Sequence, residues 1–394
     1  MELSFEAKIR LRRLAYVAGF FLTISTSIAA YVNSSFLEQF LSERSVGLVY
    51  SLASIISVIV SFNTSRLIQR VGNRQTILIL AVADFVALGG VFLWTNSPMA
   101  ILFLSAYTVL TFLLFINLDL YVEGLSDDRI TGRIRGLFLT VVNFAWLASP
   151  FLAGQLVLNF DYRAIYLVAG LALIPFLYLV AHHFHEVLSP AREHFSLWQT
   201  AMRLYRGGNG ALQNLRRIIY LDFLLNFFYA IMVIYMPIYL LNHMGFAWEK
   251  IGFIFTIMLV PFVILDFILG SLADRRYGEK EIMITGMIIA GSAAMAVSLI
   301  DSPLIWLWAL VLFLSRVGAA SWEIMKETYL FKKIDGADIN ILFVSRNTYP
   351  LAYIIAPLFA SVFLSFFDFR WLFLALGLII LLSLGHALEL KDTK

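Results

Sequence analysis

The sequence predicts an all-α membrane protein of about twelve spanning helices, arranged as two pseudo-symmetric six-helix halves. Three observations lead there: a strongly apolar composition, a regular succession of apolar segments of spanning length, and a lopsided placement of Lys and Arg among the loops between them. Of 394 residues, 61% are hydrophobic and 14% are charged. Soluble domains carry about 25% charged residues. A chain this poor in polar groups cannot cover a folded surface in water, whereas a bilayer requires such a surface. The net charge of +3 is too small to direct the chain to nucleic acid. The absence of cysteine excludes disulfides and thiolate metal sites.

A spanning helix takes about 20 apolar residues. The first such segment, 14–36, follows Lys8, Arg10, Arg12 and Arg13 without a small-residue cleavage site, so a retained helix is expected rather than a cleaved leader. Segments 46–65, 76–94, 99–122, 137–158 and 164–181 complete the first half. Residues 182–217 are polar and contain Arg192, Arg203, Arg206, Arg216, Arg217 and the run Gly207-Gly208-Asn209-Gly210. Around Phe195–Tyr205 this linker is expected to form a short amphipathic helix on the membrane surface. Segments 218–241, 250–272, 282–300, 303–325, 341–364 and 371–390 make the second half. The expected domains are therefore 1–181, a linker at 182–217, and 218–394.

Lys and Arg orient the chain. With the N-terminus inside, the inner segments hold 22 of them and the outer loops 4. Arg316, Lys326 and Arg346 fall within or at the ends of spans. Both termini and the linker are therefore expected in the cytoplasm, on a multi-pass protein of the cell (inner) membrane.

The halves repeat each other. Asn159-Phe160-Asp161-Tyr162-Arg163 matches Phe366-Phe367-Asp368-Phe369-Arg370, each just before the last span of its half. Asp119 and Glu123 match Glu323 and Glu327, and Pro150 matches Pro357. Two six-helix halves related by an axis along the membrane normal are a known transporter plan.

The loop after span 8 reads Gly270-Ser271-Leu272-Ala273-Asp274-Arg275-Arg276-Tyr277-Gly278-Glu279-Lys280. It resembles the signature loop of the major facilitator superfamily, G-x-L-A-D-R-x-G-R-K, with one residue inserted. The loop after span 2 keeps Leu67, Arg70, Gly72 and Arg74 of the same pattern, with Gln69 at the acidic position. The resemblance implies the fold of that superfamily and secondary active transport of a small solute by alternating access. It also implies that Gly270, Asp274, Arg275, Gly278, Arg70 and Gly72 belong to a cytoplasmic gate. There Asp274 would meet the start of span 5 near Gly136, with Arg133 and Arg135 beside it. Span 5 further resembles the antiporter motif of that family through Gly136, Ala145, Ser149, Pro150, Ala153 and Gly154. Span 11 carries the same spacing with Ala352, Ala356, Pro357, Ala360 and Ser361. A helix-packing device shared by symmetry explains both as well as an export signature does.

Charges inside spans are costly and face a partner or a cavity. At about 1.5 Å per residue, Asp266 and Arg316 lie near mid-membrane and are expected to pair. Asp222 and Arg346, both near the cytoplasmic end, are expected to pair as well. Asp84 sits mid-span without an evident partner. Each admits a structural reading, as an ion pair or a snorkelling side chain, beside a substrate or coupling role. Asp119, Glu123, Glu323 and Glu327, at i,i+4 spacing near the cytoplasmic ends of spans 4 and 10, suit a gate. In the superfamily, spans 1, 4, 7 and 10 line the cavity. Carried over, this implies Ser25, Thr26, Tyr31, Asn33, Asn117, Asn226, Tyr229, Tyr235 and Trp322.

His182, His183 and His185 sit where a span leaves the membrane and are read as interfacial, not as a metal site. The glycine run lacks the GK[ST] ending of a phosphate loop, and no protease or lipase motif is present. The expectation is a carrier rather than an enzyme, without cofactor or metal, acting as a monomer on a small molecule with H+ as coupling ion. Export of a drug or metabolite comes first and nutrient uptake second. A membrane-embedded enzyme or a sensor on a transporter-like fold are the rivals from other classes.

Overall fold

The computed structural model describes residues 5–125, 131–186, 202–204, 206, 210–275, 278–333 and 339–391, with backbone alone over 131–140 and 266–275. Among the described residues there are helices and turns and no strand. The chain forms two compact units, Met1–Glu193 with Ala247–Gly252, and His194–Phe246 with Phe253–Lys394.

The first unit holds α1 (Phe5–Ala30), the short α2 (Asn33–Leu37), α3 (Glu43–Val71), α4 (Asn73–Leu93), α5 (Met99–Gly124), α6 (Thr131–Phe160) and α7 (Tyr162–His182). Helix α1 packs on α6 and α7, α4 on α5 and α7, and α3 on α5. The predicted first span ends early: α1 stops at Ala30, and Asn33 opens a separate short helix. The second unit holds α8 (Gly210–Ile238), which runs into a π-helical turn at Tyr239–His243. Then follow α9 (Trp248–Arg275), whose first residues belong to the first unit, α10 (Glu279–Val297) and α11 (Ile305–Lys333). Next come α12 (Ile339–Arg346), α13 (Thr348–Phe363), α14 (Phe369–Leu382) and α15 (Leu384–Leu388). Here α8 packs on α13 and α11, and α10 on α11 and α14. Three of these pairings recur: α10 meets α11 and α14 as α4 meets α5 and α7, and α8 meets α13 as α1 meets α6, whereas the extensive contact of α1 with α7 has little counterpart between α8 and α14.

Among the described residues, eleven helices are long and apolar enough to cross a membrane. The remaining predicted span, 341–364, is split into α12 and α13 at Asn347. Pro350 cannot offer the N–H that the Arg346 carbonyl would take in a continuous helix. The Thr348 hydroxyl also reaches the Ser345 carbonyl at 2.6 Å, a side-chain bond that competes with the backbone ladder.

Small residues set the helix approaches, as they do where lipid removes any hydrophobic drive between helices. A Cβ on Gly286 of α10 would fall 2.7 Å from the Gly318 carbonyl oxygen of α11. One on Gly291 would fall 3.3 Å from the Gly377 carbonyl oxygen of α14. In the first unit, a Cβ on Gly154 would fall 2.5 Å from the Trp248 carbonyl oxygen. Ser149 in α6 meets Ser27 in α1, with their Oγ atoms 2.5 Å apart. In the second unit the Pro357 carbonyl accepts from the Tyr235 hydroxyl at 3.2 Å.

The repeated residues do matching work in the two units. Arg163 donates to the Phe92 carbonyl at 3.1 Å near the end of α4, and Arg370 pairs with Asp301 at 3.5 Å just beyond the end of α10. At the other membrane face, Arg74 donates to the carbonyls of Val180 (3.2 Å) and Ala181 at the end of α7. Lys280 donates to the Leu390 carbonyl at 3.0 Å, near the end of the second unit's last helices. A cation at a helix C-terminus satisfies orphan carbonyls and the negative end of the dipole. The basic residue closing each signature-like loop is thus a clamp on the last helix of its own half.

Candidate functional site

Asp222, Asn226 and Tyr229 lie one and two turns apart on α8 and share one face. That face packs on α11 and on the split pair α12 and α13. Asp222, 3% exposed, accepts from Lys326 of α11, from Ser345 Oγ at 2.5 Å, and from Asn226 Nδ2 at 3.2 Å, and it lies 2.9 Å from Thr348 Oγ1. Both hydroxyls flank the break at Asn347, so the split in the span presents them to the carboxylate. Lys326 Nζ also lies 3.1 Å from Glu327 Oε1, and that oxygen accepts from Arg346 Nη1 at 3.0 Å. Two acids and two bases therefore alternate from α8 to α12. One turn back along α11, Glu323 Oε2 accepts from the Tyr229 hydroxyl at 2.6 Å.

Arg316 stands two turns before Glu323 on α11 and is 2% exposed. Its guanidinium lies over the ring of Tyr229 at 5.1 Å, near Phe228 at 5.7 Å and near Phe262 at 5.9 Å. Its Nε and Nη2 donors are buried without a hydrogen-bond partner. The indole Nε1 of Trp322, also buried, has none either.

In the first unit, Asp84 of α4 is 1% exposed and accepts from Thr111 Oγ1 at 3.3 Å, while its Oδ2 has no partner. The cavity-lining residues carried over by resemblance mostly turn to local partners. Thr26 donates to the Leu22 carbonyl at 2.9 Å, Asn117 to the Leu113 carbonyl at 2.7 Å, and Asn33 accepts from Tyr166 at 3.0 Å. Tyr31 meets Trp146 edge to face at 6.1 Å. Gly72 has φ +88° and joins α3 to α4, a left-handed position that favours glycine.

The structure re-pairs one expected couple. Asp222 is matched with Lys326, and Arg346 with Glu327, so the two residues expected to pair are the ends of one chain of charges. Lys326 is the link that span arithmetic alone does not supply. Ser345 and Thr348 carried no sequence signal beyond their place near Pro350. A further pair was missed: Glu279, fully buried, is joined to Lys332. Arg70 is exposed and Asp119 half-buried. Beyond their backbone, Asp266, Gly270, Asp274, Arg275, Glu123, Arg133, Arg135 and Gly136 are not among the described residues, and most of the linker lies outside them altogether. The Asp266–Arg316 and Asp274 expectations fall there. His182 and His183 pack against Tyr178, and the described residues contain no group of His, Cys, Asp and Glu able to hold a metal.

A bundle of spanning helices, built twice, with charged residues buried between helices of one half, describes a membrane carrier. The model of the Major Facilitator Superfamily matches residues 15–331, and the chain belongs to that family. The sugar efflux transporter C of Escherichia coli (strain K12) is 25% identical over 173 residues, 41% of this chain and 44% of the relative's length. Among solved structures, the nucleoside transporter NupG superposes with a TM-score of 0.78 at 12% identity, covering 96% of this chain and 99% of the other. A D-xylose-proton symporter gives 0.76 at 16% identity, covering 99% of both chains. An auto-inhibited peptide transporter of the POT family gives 0.76 at 12%, covering 98% of both. These likenesses concern the fold.

Proposed function

We propose that this protein is a proton-coupled secondary transporter that exports a small polar solute of the sugar type by alternating access. The observation that carries this reading is the set of charges from Asp222 to Arg346 at a split span, buried at its Asp222–Lys326 end and adjoining the Tyr229–Glu323 bond. Ionised groups at that depth cost free energy and are kept where solute or ions pass. Glu323 and Asp84 suit proton coupling, because the hydrogen bonds described for them come from hydroxyls. Asp266 is proposed as a further coupling carboxylate. The outward direction draws on the name of the sugar efflux relative and on the small-residue spacing of α6. The protein is proposed to act as a monomer in the cell membrane, with domains 1–181 and 218–394 joined by a cytoplasmic linker.

The test is counterflow. Purified protein in proteoliposomes should exchange a labelled sugar from a panel of mono- and disaccharides, and an internal pH dye should report proton movement in step. Absence of counterflow for every sugar and sugar derivative would reject the carrier reading. Exchange without proton movement would reject the coupling alone.

A further inference from the structure

We infer that the solute carries an oxyanion, a carboxylate or a phosphate, and that Arg316 is the residue that receives it. This rests on the carrier reading above for its claim that the site is a transport site. The two donors of Arg316 without partners, Nε and Nη2, lie on the same edge of the guanidinium. That edge presents two parallel N–H bonds, the fork that matches the two oxygens of a carboxylate or phosphate. Nothing else described here meets that fork. The rings of Phe228, Tyr229 and Phe262 supply faces, which attract a cation but do not neutralise it. The carboxylate of Glu323 accepts from the Tyr229 hydroxyl and does not meet the fork of Arg316. The lysine nearest along α11, Lys326, is already matched by Asp222 and Glu327. A full positive charge, 2% exposed in a span, therefore lacks a counter-charge among the described residues. A neutral sugar hydroxyl could accept a hydrogen bond from the fork but would leave the charge uncompensated, and breaking up buried charge pairs is costly. An anionic solute completes both the hydrogen bonds and the charge. Ala319 and Ala320, the next turn of α11, add only methyl groups on the side toward Glu323.

The experiment uses the full purified chain in detergent, melted by tryptophan fluorescence, with glucose, glucuronate, gluconate, glucose 6-phosphate and inorganic phosphate as probes. Binding to the folded state raises the apparent melting temperature. At least one oxyanion probe should stabilise the wild type saturably where glucose at the same concentration does not. A shift with the phosphates but not the sugar acids assigns the group as a phosphate, and the reverse assigns a carboxylate. Arg316→Gln should abolish the shift. Arg316→Lys keeps the charge but not the fork and should weaken binding about tenfold or more, and it carries the test if the glutamine variant does not fold. No shift with any oxyanion, or equal shifts with glucose and glucuronate that survive Arg316→Lys and Arg316→Gln, would overturn the inference. Counterflow separates the two readings. Neutral sugar exchange without oxyanion binding rejects the oxyanion and leaves the carrier. Oxyanion binding without exchange of that probe or of any sugar or sugar derivative rejects the carrier and leaves the site.

Discussion

Asp222 on α8 and Lys326 on α11 form an ion pair in which the side chains are 5% and 7% exposed. Three further polar groups converge on the carboxylate, from Asn226, Ser345 and Thr348. Removing one partner of a buried pair leaves an uncompensated charge, at a cost of about 3–5 kcal/mol. Asp222→Asn and Lys326→Met should each lower the melting temperature strongly. The double variant should be more stable than the sum of the two losses predicts, because neither charge is then left alone. Tryptophan fluorescence melts of the four proteins check this, and additive losses would show that the pair is not coupled.

The outer end of the same chain is wetter. The Arg346 side chain is 48% exposed while that of Glu327 is 24% exposed. Exposed ion pairs contribute about 0–1 kcal/mol. Arg346→Gln should therefore shift the melt slightly, whereas Glu327→Gln, which deprives both Lys326 and Arg346, should shift it several times more. Equal shifts would mean that Lys326 depends on Asp222 alone.

The close approach of α10 and α11 is set by glycine. A Cβ on Gly318 would fall 2.9 Å from the Ala290 Cα, a contact with backbone that no side-chain rotation relieves. Gly318→Ala should destabilise by about 1–3 kcal/mol through overpacking. Gly89, on α4, has nothing within 4 Å of the same added atom. Gly89→Ala should be neutral or gain about 0.5–1 kcal/mol, since alanine loses less freedom in a helix. The pair of melts is self-controlled, and a loss at Gly89 as large as at Gly318 would discount packing as the cause.

Topology is open to direct labelling because the chain has no cysteine. A cysteine replacing Gly208 in the linker should react with an impermeant maleimide only after the membrane is opened. Labelling of intact cells would place the linker outside and reverse the proposed orientation.

Periodicity and composition made the spans legible, because a bilayer punishes any break in apolar length and any misplaced cationic loop. The internal repeat was legible for a similar reason: Asp161–Arg163 and Asp368–Arg370 close equivalent turns, and chemistry at a turn is local. The depth of the buried charges could also be reckoned, since an α-helix rises a fixed distance per residue. Depth was enough to bring Asp222, Glu327, Lys326 and Arg346 to one level, but not to pair them. Pairing depends on how far each helix is rotated about its axis and on which neighbours it has, and those follow from small-residue contacts such as Gly286 against Gly318. The split at Asn347 shows the same division. Pro350 marks a weak point in the span, yet the hydroxyls of Ser345 and Thr348 found a use only once α8 brought Asp222 against them. What the sequence by itself determined is the set of apolar lengths, the twofold repeat and the family, all properties of the chain taken along its own axis. The long-range partners of Asp222, the unsatisfied edge of Arg316 and the bond from Tyr229 to Glu323 were decided by tertiary structure alone: the bonds of Asp222 to Lys326, Ser345 and Thr348 and that of Tyr229 to Glu323 join residues 94 to 126 apart, and all three features depend on the rotation and packing of whole helices.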